Sequence, residues 1–448
     1  MDLIVKNGLV VTPTKAVLTD IGINEGKIVA IGDHLGDADE IIDATNKIIT
    51  PGMIDAHVHI SQPGRTQWEG YISGTSAAVA GGVTSFLEMP LNQLPCTENV
   101  ESLKVKVESG TGQLKNDVYL ISALTPNNRM DIEAMNQQGV VSYKAFMTKC
   151  GDYTLPNDMH HVEDFDLFFG MKAIAKTGKV LMIHAENDSL VQSLTQLAIE
   201  NNVDNYIGFE KYRSDIVELE AINRVIFFAK ETGCSVHICH VSSEKAIALI
   251  KQAKNDGVDI TCETTTHYLA LDVTSANDIG TFAKCAPPIR SEANRHKLWE
   301  HLMNGDIDMV VSDHSPCTID LKDKPFMEAW GGIAGLQNVY DIYFSLAYHD
   351  YKMDIVELVN RVSLNVAKRF NLRNKGSIEL GKDADLVIID PNKSYNIREE
   401  NYYYKNRFSA YTGMKVNCTI EKTILRGKVV YCHQLGVAPS FEGKFKFV

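Results

Sequence analysis

The chain has 448 residues, with 44 Lys+Arg against 57 Asp+Glu and a formal charge of −13. That balance excludes nucleic acid and anionic membrane as main partners, because both require a basic face. At 44% hydrophobic and 23% charged residues it is a folded globular chain, neither disordered nor a small disulfide scaffold. No run approaches the ~20 uncharged apolar residues of a membrane-spanning helix, and the first residues lack the pattern of a secretory leader. Nine cysteines, an odd number spread thinly, suit reduced thiols, so a cytoplasmic protein is expected.

In chain order, residues 3–6, 9–12, 20–24, 27–32 and 41–43 read as short strands separated by Gly, Asn and Asp, the texture of an antiparallel module. The middle alternates apolar runs with longer helical patterns, the βα rhythm of a parallel sheet. Eight runs read as strands: 52–59, 84–89, 118–123, 140–146, 180–184, 235–240, 259–263 and 309–313. Eight strands with intervening helices over roughly 320 residues fit a (β/α)8 TIM-like barrel with insertions. Residues 376–379, 385–389, 419–425 and 429–431 return to short strands. Neither chain end is long enough to bury much core alone. The expected architecture is therefore α/β: a barrel from 51–375 and a small β-sandwich domain built jointly from 1–50 and 376–448.

The chemistry concentrates at strand ends. Asp55-Ala56-His57-Val58-His59 closes the first barrel run. On a strand, alternate residues share a face about 6.6 Å apart, so His57 and His59 can converge on one ion; on a helix, residues two apart diverge. His184, His240 and Asp313 each end an apolar run, at the barrel face where active sites sit. Singly, each reads as well as a strand-end residue capping the next helix. Together they form a set of the side chains that bind borderline divalent cations. Lys144 lies inside the apolar run Val140-Val141-Ser142-Tyr143-Lys144-Ala145-Phe146. Such a lysine ordinarily snorkels or pairs with a carboxylate. Burial favours its neutral amine, however, and a neutral amine can add CO2 to give an anionic carbamate able to bridge two ions.

These positions resemble the cyclic amidohydrolase branch of the amidohydrolase superfamily, from Gly52-Met53-Ile54-Asp55-Ala56-His57-Val58-His59 to Gly376-Ser377-Ile378-Glu379-Leu380-Gly381-Lys382-Asp383-Ala384-Asp385-Leu386. The resemblance implies two divalent ions, Zn first with Co, Mn, Fe or Ni as substitutes. His57, His59 and Asp313 would hold one ion and His184 and His240 the other, with carbamylated Lys144 between them. It also implies hydrolysis of a ring amide by a hydroxide bridging the metals, with Asp313 as the catalytic proton carrier. The expected partner is a small-molecule substrate, and the resemblance implies a homo-oligomer, most often a homotetramer.

Within that branch, Trp68-Glu69-Gly70, Glu88-Met89-Pro90-Leu91-Asn92-Gln93-Leu94-Pro95, Ser312-Asp313-His314-Ser315-Pro316-Cys317 and Trp330-Gly331-Gly332-Ile333-Ala334-Gly335-Leu336-Gln337 are similar to the bacterial allantoinase group. This implies opening of the hydantoin ring of allantoin to allantoate. Dihydroorotases carry an arginine two residues after the second histidine, where this chain has Ser61. Hydantoinases carry a tyrosine five residues after the lysine, where this chain has Lys149. Ala286 replaces the serine of the family's Cys-Ser-Pro-Pro loop in Cys285-Ala286-Pro287-Pro288. Ser61, Asn92, Ala286, Ser315 and Gly332 are the expected substrate contacts. The alternatives are a hydantoinase or dihydropyrimidinase-type amidase, then a dihydroorotase, and, in a different class, a catalytically dead scaffold of the same fold. His160-His161 is expected to be solvated, His237 structural, and His267 is a supporting candidate near the site.

Overall fold

The structure, a computed structural model, describes residues 1–448. Its centre is a sheet of eight parallel barrel strands: Met53–Val58, Val83–Glu88, Asp117–Ala123, Ser142–Phe146, Leu181–His184, Val236–Ile238, Ile260–Thr265 and Met309–Val311. Strand follows strand in sequence order, each paired in parallel with the next. The seam between the first and eighth strands closes without a regular ladder. The Asp55 carboxylate accepts from Ser312 N at 3.2 Å, and His314 O accepts from His59 N at 2.9 Å.

Helices pack outside this sheet through one apolar stripe. In Glu244–Asn255, which follows the sixth strand, the buried residues are Ala246, Ile247, Ile250 and Ala253, a 3.6-residue period facing the barrel. Gly257, at φ 85, then supplies the left-handed turn that leads into the seventh strand.

Both chain ends meet in a second nine-stranded sheet. Its centre is the antiparallel pair of Ile48–Pro51 and Leu386–Asp390. Alternation along these strands decides which core each side chain joins. Ile48, Val387, Ile389 and Ile420 pack into the large barrel core, whereas Ile49, Leu386, Ile388 and Ile424 pack into a separate core with Leu3, Val5 and Ile21. Beneath the barrel, Lys375 Nζ lies 2.7 Å from Asp117, 3.1 Å from Asp383 and 2.5 Å from Asp385, all buried, and Arg426 also pairs with Asp117. Phe445–Lys446 returns to pair in parallel with Val118 and Tyr119.

Two local expectations change. Runs 3–6 and 9–12 fuse into one strand, Leu3–Val11, with a register shift between Val5 and Gly8 and Asn7 at φ 63. A bulge therefore resembled a break; a side chain at Gly8 would come within 2.4 Å of Ile49. Residues 376–379 form no strand. Gly376 turns at φ 83, and Ile378 alone plugs the sheet core, 1% exposed.

Candidate metal centre and active-site cleft

His57 lies in the first barrel strand and His59 just past its end; Lys144 is central in the fourth, and His184 ends the fifth. His240 and Asp313 each sit two residues beyond the sixth and eighth strands, in left-handed backbone at φ 33 and φ 45. Such conformations cost on the order of 1–3 kcal/mol for residues other than glycine and concentrate at functional sites. Here they accompany the turn of both side chains over the barrel mouth.

All six residues converge. Asp313 Oδ1 lies 3.3 Å from His57 Nε2 and 3.5 Å from His59 Nε2. His184 Nδ1 faces His240 Nε2 at 2.9 Å, and the His57 and His240 rings are 5.2 Å apart. Burial holds all four imidazoles below their ordinary pKa, so they present neutral rings. For Asp313, burial pushes upward but His57 and His59 outweigh it, keeping the carboxyl below its ordinary range. Lys144 is wholly buried, has no carboxylate partner, and its Nζ lies 2.8 Å from Cys239 Sγ. Neutral nitrogens aimed at one another, a carboxylate between two of them and an unpaired lysine amine form a donor set fitted to cations.

Four groups that orient this set escaped the sequence reading. Glu263 accepts from His57 Nδ1 at 2.5 Å and from His237 Nε2 at 3.0 Å, so His57 Nε2 keeps its lone pair toward the centre. Glu186 accepts from His184 Nε2 at 2.7 Å and is gripped by Arg213 through Nε at 2.7 Å and Nη2 at 2.5 Å. Asp55, its pKa raised by burial to about 7, accepts from His57 N and Ser312 N across the seam. Glu263 ends the expected strand 259–263, so the rule that singled out His184 also applied to it. Glu186 stands two residues after His184. Arg213 carried no signal, since it arrives from the end of the helix Tyr206–Tyr212.

A cleft of about 360 Å³ opens over the centre. Of the expected substrate contacts, Asn92, Ala286 and Ser315 line it. Ser61 and Gly332 do not. Ser61 is wholly buried with its hydroxyl unpartnered, and Gly332 packs behind Ser315, whose carbonyl oxygen a Cβ would meet at 2.4 Å. Lys149 lines the cleft. Arg65 is engaged by Asp158 at 2.5 Å and by Asn92 O at 3.1 Å. His237 is buried behind Glu263 and also meets Thr261 Oγ1 at 2.7 Å. His267, its pKa pushed down to about 4 by burial, has no partner on either nitrogen. His160 and His161 are half-buried rather than solvated, His160 stacking on Tyr153 at 4.3 Å.

Residues 48–430 match the amidohydrolase family, a span that holds the whole barrel and all six converging residues. The chain belongs to the amidohydrolase family. This family is metal-dependent, in keeping with the donor set above. The amidohydrolase is 44% identical to the allantoinase of Enterococcus faecalis and 46% identical to that of Bacillus licheniformis, each over 99% of both chains. Its fold superposes on an L-hydantoinase (dihydropyrimidinase) from Arthrobacter aurescens with TM-score 0.95 and 30% identity, covering 100% of both chains. A D-hydantoinase structure follows at TM-score 0.91 and 28% identity, covering 100% of this chain and 98% of that one. No helix is long and apolar enough to cross a membrane.

Proposed function

We propose that this amidohydrolase opens the hydantoin ring of allantoin to give allantoate. The observation that carries the reading is its 44% and 46% identity, over 99% of both chains, with proteins named allantoinase. The cleft argues against the neighbouring activities. A carboxylate-bearing ring such as dihydroorotate wants a bidentate cation, but Ser61 stands at the arginine position and Arg65 is already occupied by Asp158. Lys149 stands where hydantoinases carry tyrosine. A dead scaffold would have lost ligands, and here His57, His59, Lys144, His184, His240 and Asp313 are all present and convergent.

His57, His59 and Asp313 would hold one divalent ion, His184 and His240 a second, with a carbamate on Lys144 between them. Zn is the preferred metal for this nitrogen and carboxylate set, with Co, Mn, Fe or Ni as substitutes. Bound there, such ions supply a water of lowered pKa and polarise the scissile carbonyl. Asp313, kept as a carboxylate by its histidines, accepts the water's proton at Oδ1 and returns it to the departing ring nitrogen. Glu263 and Glu186 hold His57 and His184 in the tautomers that leave a lone pair inward. Lys144, buried without a carboxylate partner, would as a carbamate add a second anion to that of Asp313.

A homotetramer is proposed on the family resemblance and on exposed apolar side chains of outer helices, among them Phe165, Ile216 and Phe227. A cytoplasmic location is supported by nine free cysteines. The deciding experiment compares ring opening of allantoin, hydantoin and dihydroorotate by protein incubated with divalent metal and bicarbonate. Fast turnover of allantoin alone is expected. Preference for another ring overturns the substrate, and no turnover with metal verified in the protein moves weight to the dead scaffold.

A further inference from the structure

Arg213 has a feature that its pairing with Glu186 does not explain. Its Nε and Nη2 are consumed by that carboxylate, while Nη1 has no partner in the protein. Its side chain is 16% exposed, against 1% for Glu186, and the exposed part faces the cleft. A guanidinium needed only to neutralise Glu186 could be covered completely. The chain segment is also fixed, because Arg213 N caps the preceding helix at Phe209 O and its carbonyl accepts from Arg290 Nη1 at 2.9 Å. The remaining N–H donors are therefore held rigidly at the wall, the arrangement that gives a planar fork its selectivity for acceptor oxygens.

Neither other cation lining the cleft offers this. The Lys284 ammonium spends its protons on three carbonyls, Phe326 O at 2.6 Å, Met327 O at 2.9 Å and Ala329 O at 2.7 Å. Lys149 is exposed at the mouth, with no contact that fixes its Nζ.

We infer that Arg213 is a specificity-determining residue whose free Nη1 donates to an acceptor oxygen on the group that the substrate carries outside the reacting ring. Resting on the reading above, that acceptor is the ureido carbonyl of allantoin, a group that unsubstituted hydantoin lacks. Because the same guanidinium holds Glu186, and Glu186 holds His184, substrate recognition and ligand orientation share one side chain.

The test measures kcat and KM for allantoin and for unsubstituted hydantoin, together with bound metal, in the wild type, Arg213→Lys and Arg213→Gln. Lysine keeps the charge and the partner for Glu186 but cannot also reach with Nη1. In Arg213→Lys, loss of one charge-assisted hydrogen bond is expected to lower kcat/KM for allantoin about 10- to 100-fold, mainly through KM, with hydantoin changed by less than about threefold and metal content retained. Arg213→Gln should show the same loss of preference if lysine is not tolerated. An unchanged allantoin-to-hydantoin ratio overturns the inference. So does an equal loss on both rings accompanied by loss of metal, which would leave Arg213 a positioning residue for His184. A wild type that opens hydantoin but not allantoin removes the proposed substrate and this inference together, a result visible before any variant is made.

Discussion

Replacing Glu263 by Gln removes one negative charge 2.5 Å from His57 Nδ1 while keeping the shape of the side chain. Burial alone would raise the pKa of this carboxylate, but His57 and His237 outweigh it and hold it well below the ordinary range, so it is ionised in the folded protein. The amide can satisfy both neighbours. Its oxygen accepts from His57, and its NH2 donates to His237 Nε2 once that ring carries its proton on Nδ1, opposite Thr261 Oγ1 at 2.7 Å. Glu263→Gln should therefore fold, and what it loses is the charge that strengthens the inward lone pair of His57. Removing such a carboxylate partner typically weakens metal binding about 10- to 100-fold, equivalent to about 1.4–2.7 kcal/mol. The assay is chelator competition read by bound metal, with thermal unfolding of the metal-free protein beside it. Metal affinity within about twofold of wild type, with unfolding unchanged, would refute the claim that Glu263 orients and polarises this ligand.

Lys144→Ala should bind at most one metal and lose activity; two metals with retained turnover would end the bridging-carbamate proposal. Lys375→Met leaves the buried carboxylates of Asp117, Asp383 and Asp385 with Arg426, Lys27 and, at 3.9 Å from Asp117, Lys446 to balance them. Breaking a buried ion network costs about 3–5 kcal/mol, so denaturant unfolding should report a loss of that size, and a loss below about 1 kcal/mol sinks the assignment. Glu186 and Glu263 both have folded pKa values depressed from 4.5. Their stabilisation is full above the unfolded value and disappears as pH falls through the folded ones. Metal-free protein should lose melting temperature steeply below pH 4.5, and Glu263→Gln less steeply. Parallel pH curves for the two proteins would contradict this.

The barrel was legible because its strands are apolar runs bounded by turns, and because polar residues at their ends break the run at the site face. His184 and Asp313 announced themselves in that way, and the expected strand 309–313 overran the observed Met309–Val311 by the two residues that bend inward. What stayed hidden needs spatial rather than sequential adjacency. Arg213 reaches Glu186 from a helix end 27 residues away. Lys375 meets Asp117 across 258 residues. Gly8 was misread because a bulge and a chain break share the same local residues, and only the partner Ile49 distinguishes them. Ser61 and Gly332 were expected to contact substrate and do not line the cleft, because the side a backbone presents to a cleft is set by turns that spacing does not encode.

The seam joining the first and eighth barrel strands has a consequence in time. His57, His59 and Asp313 lie on its two sides, separated by more than 250 residues, and come together only when Asp55 meets Ser312. Contacts of such long sequence separation form late, after loop closure has been overcome. A nascent chain emerging from the ribosome has the first histidine pair long before it has the aspartate, and so has no complete cation site until synthesis passes residue 313. On the proposed function, a cation held by these three residues would be captured only once the ring of strands is completed.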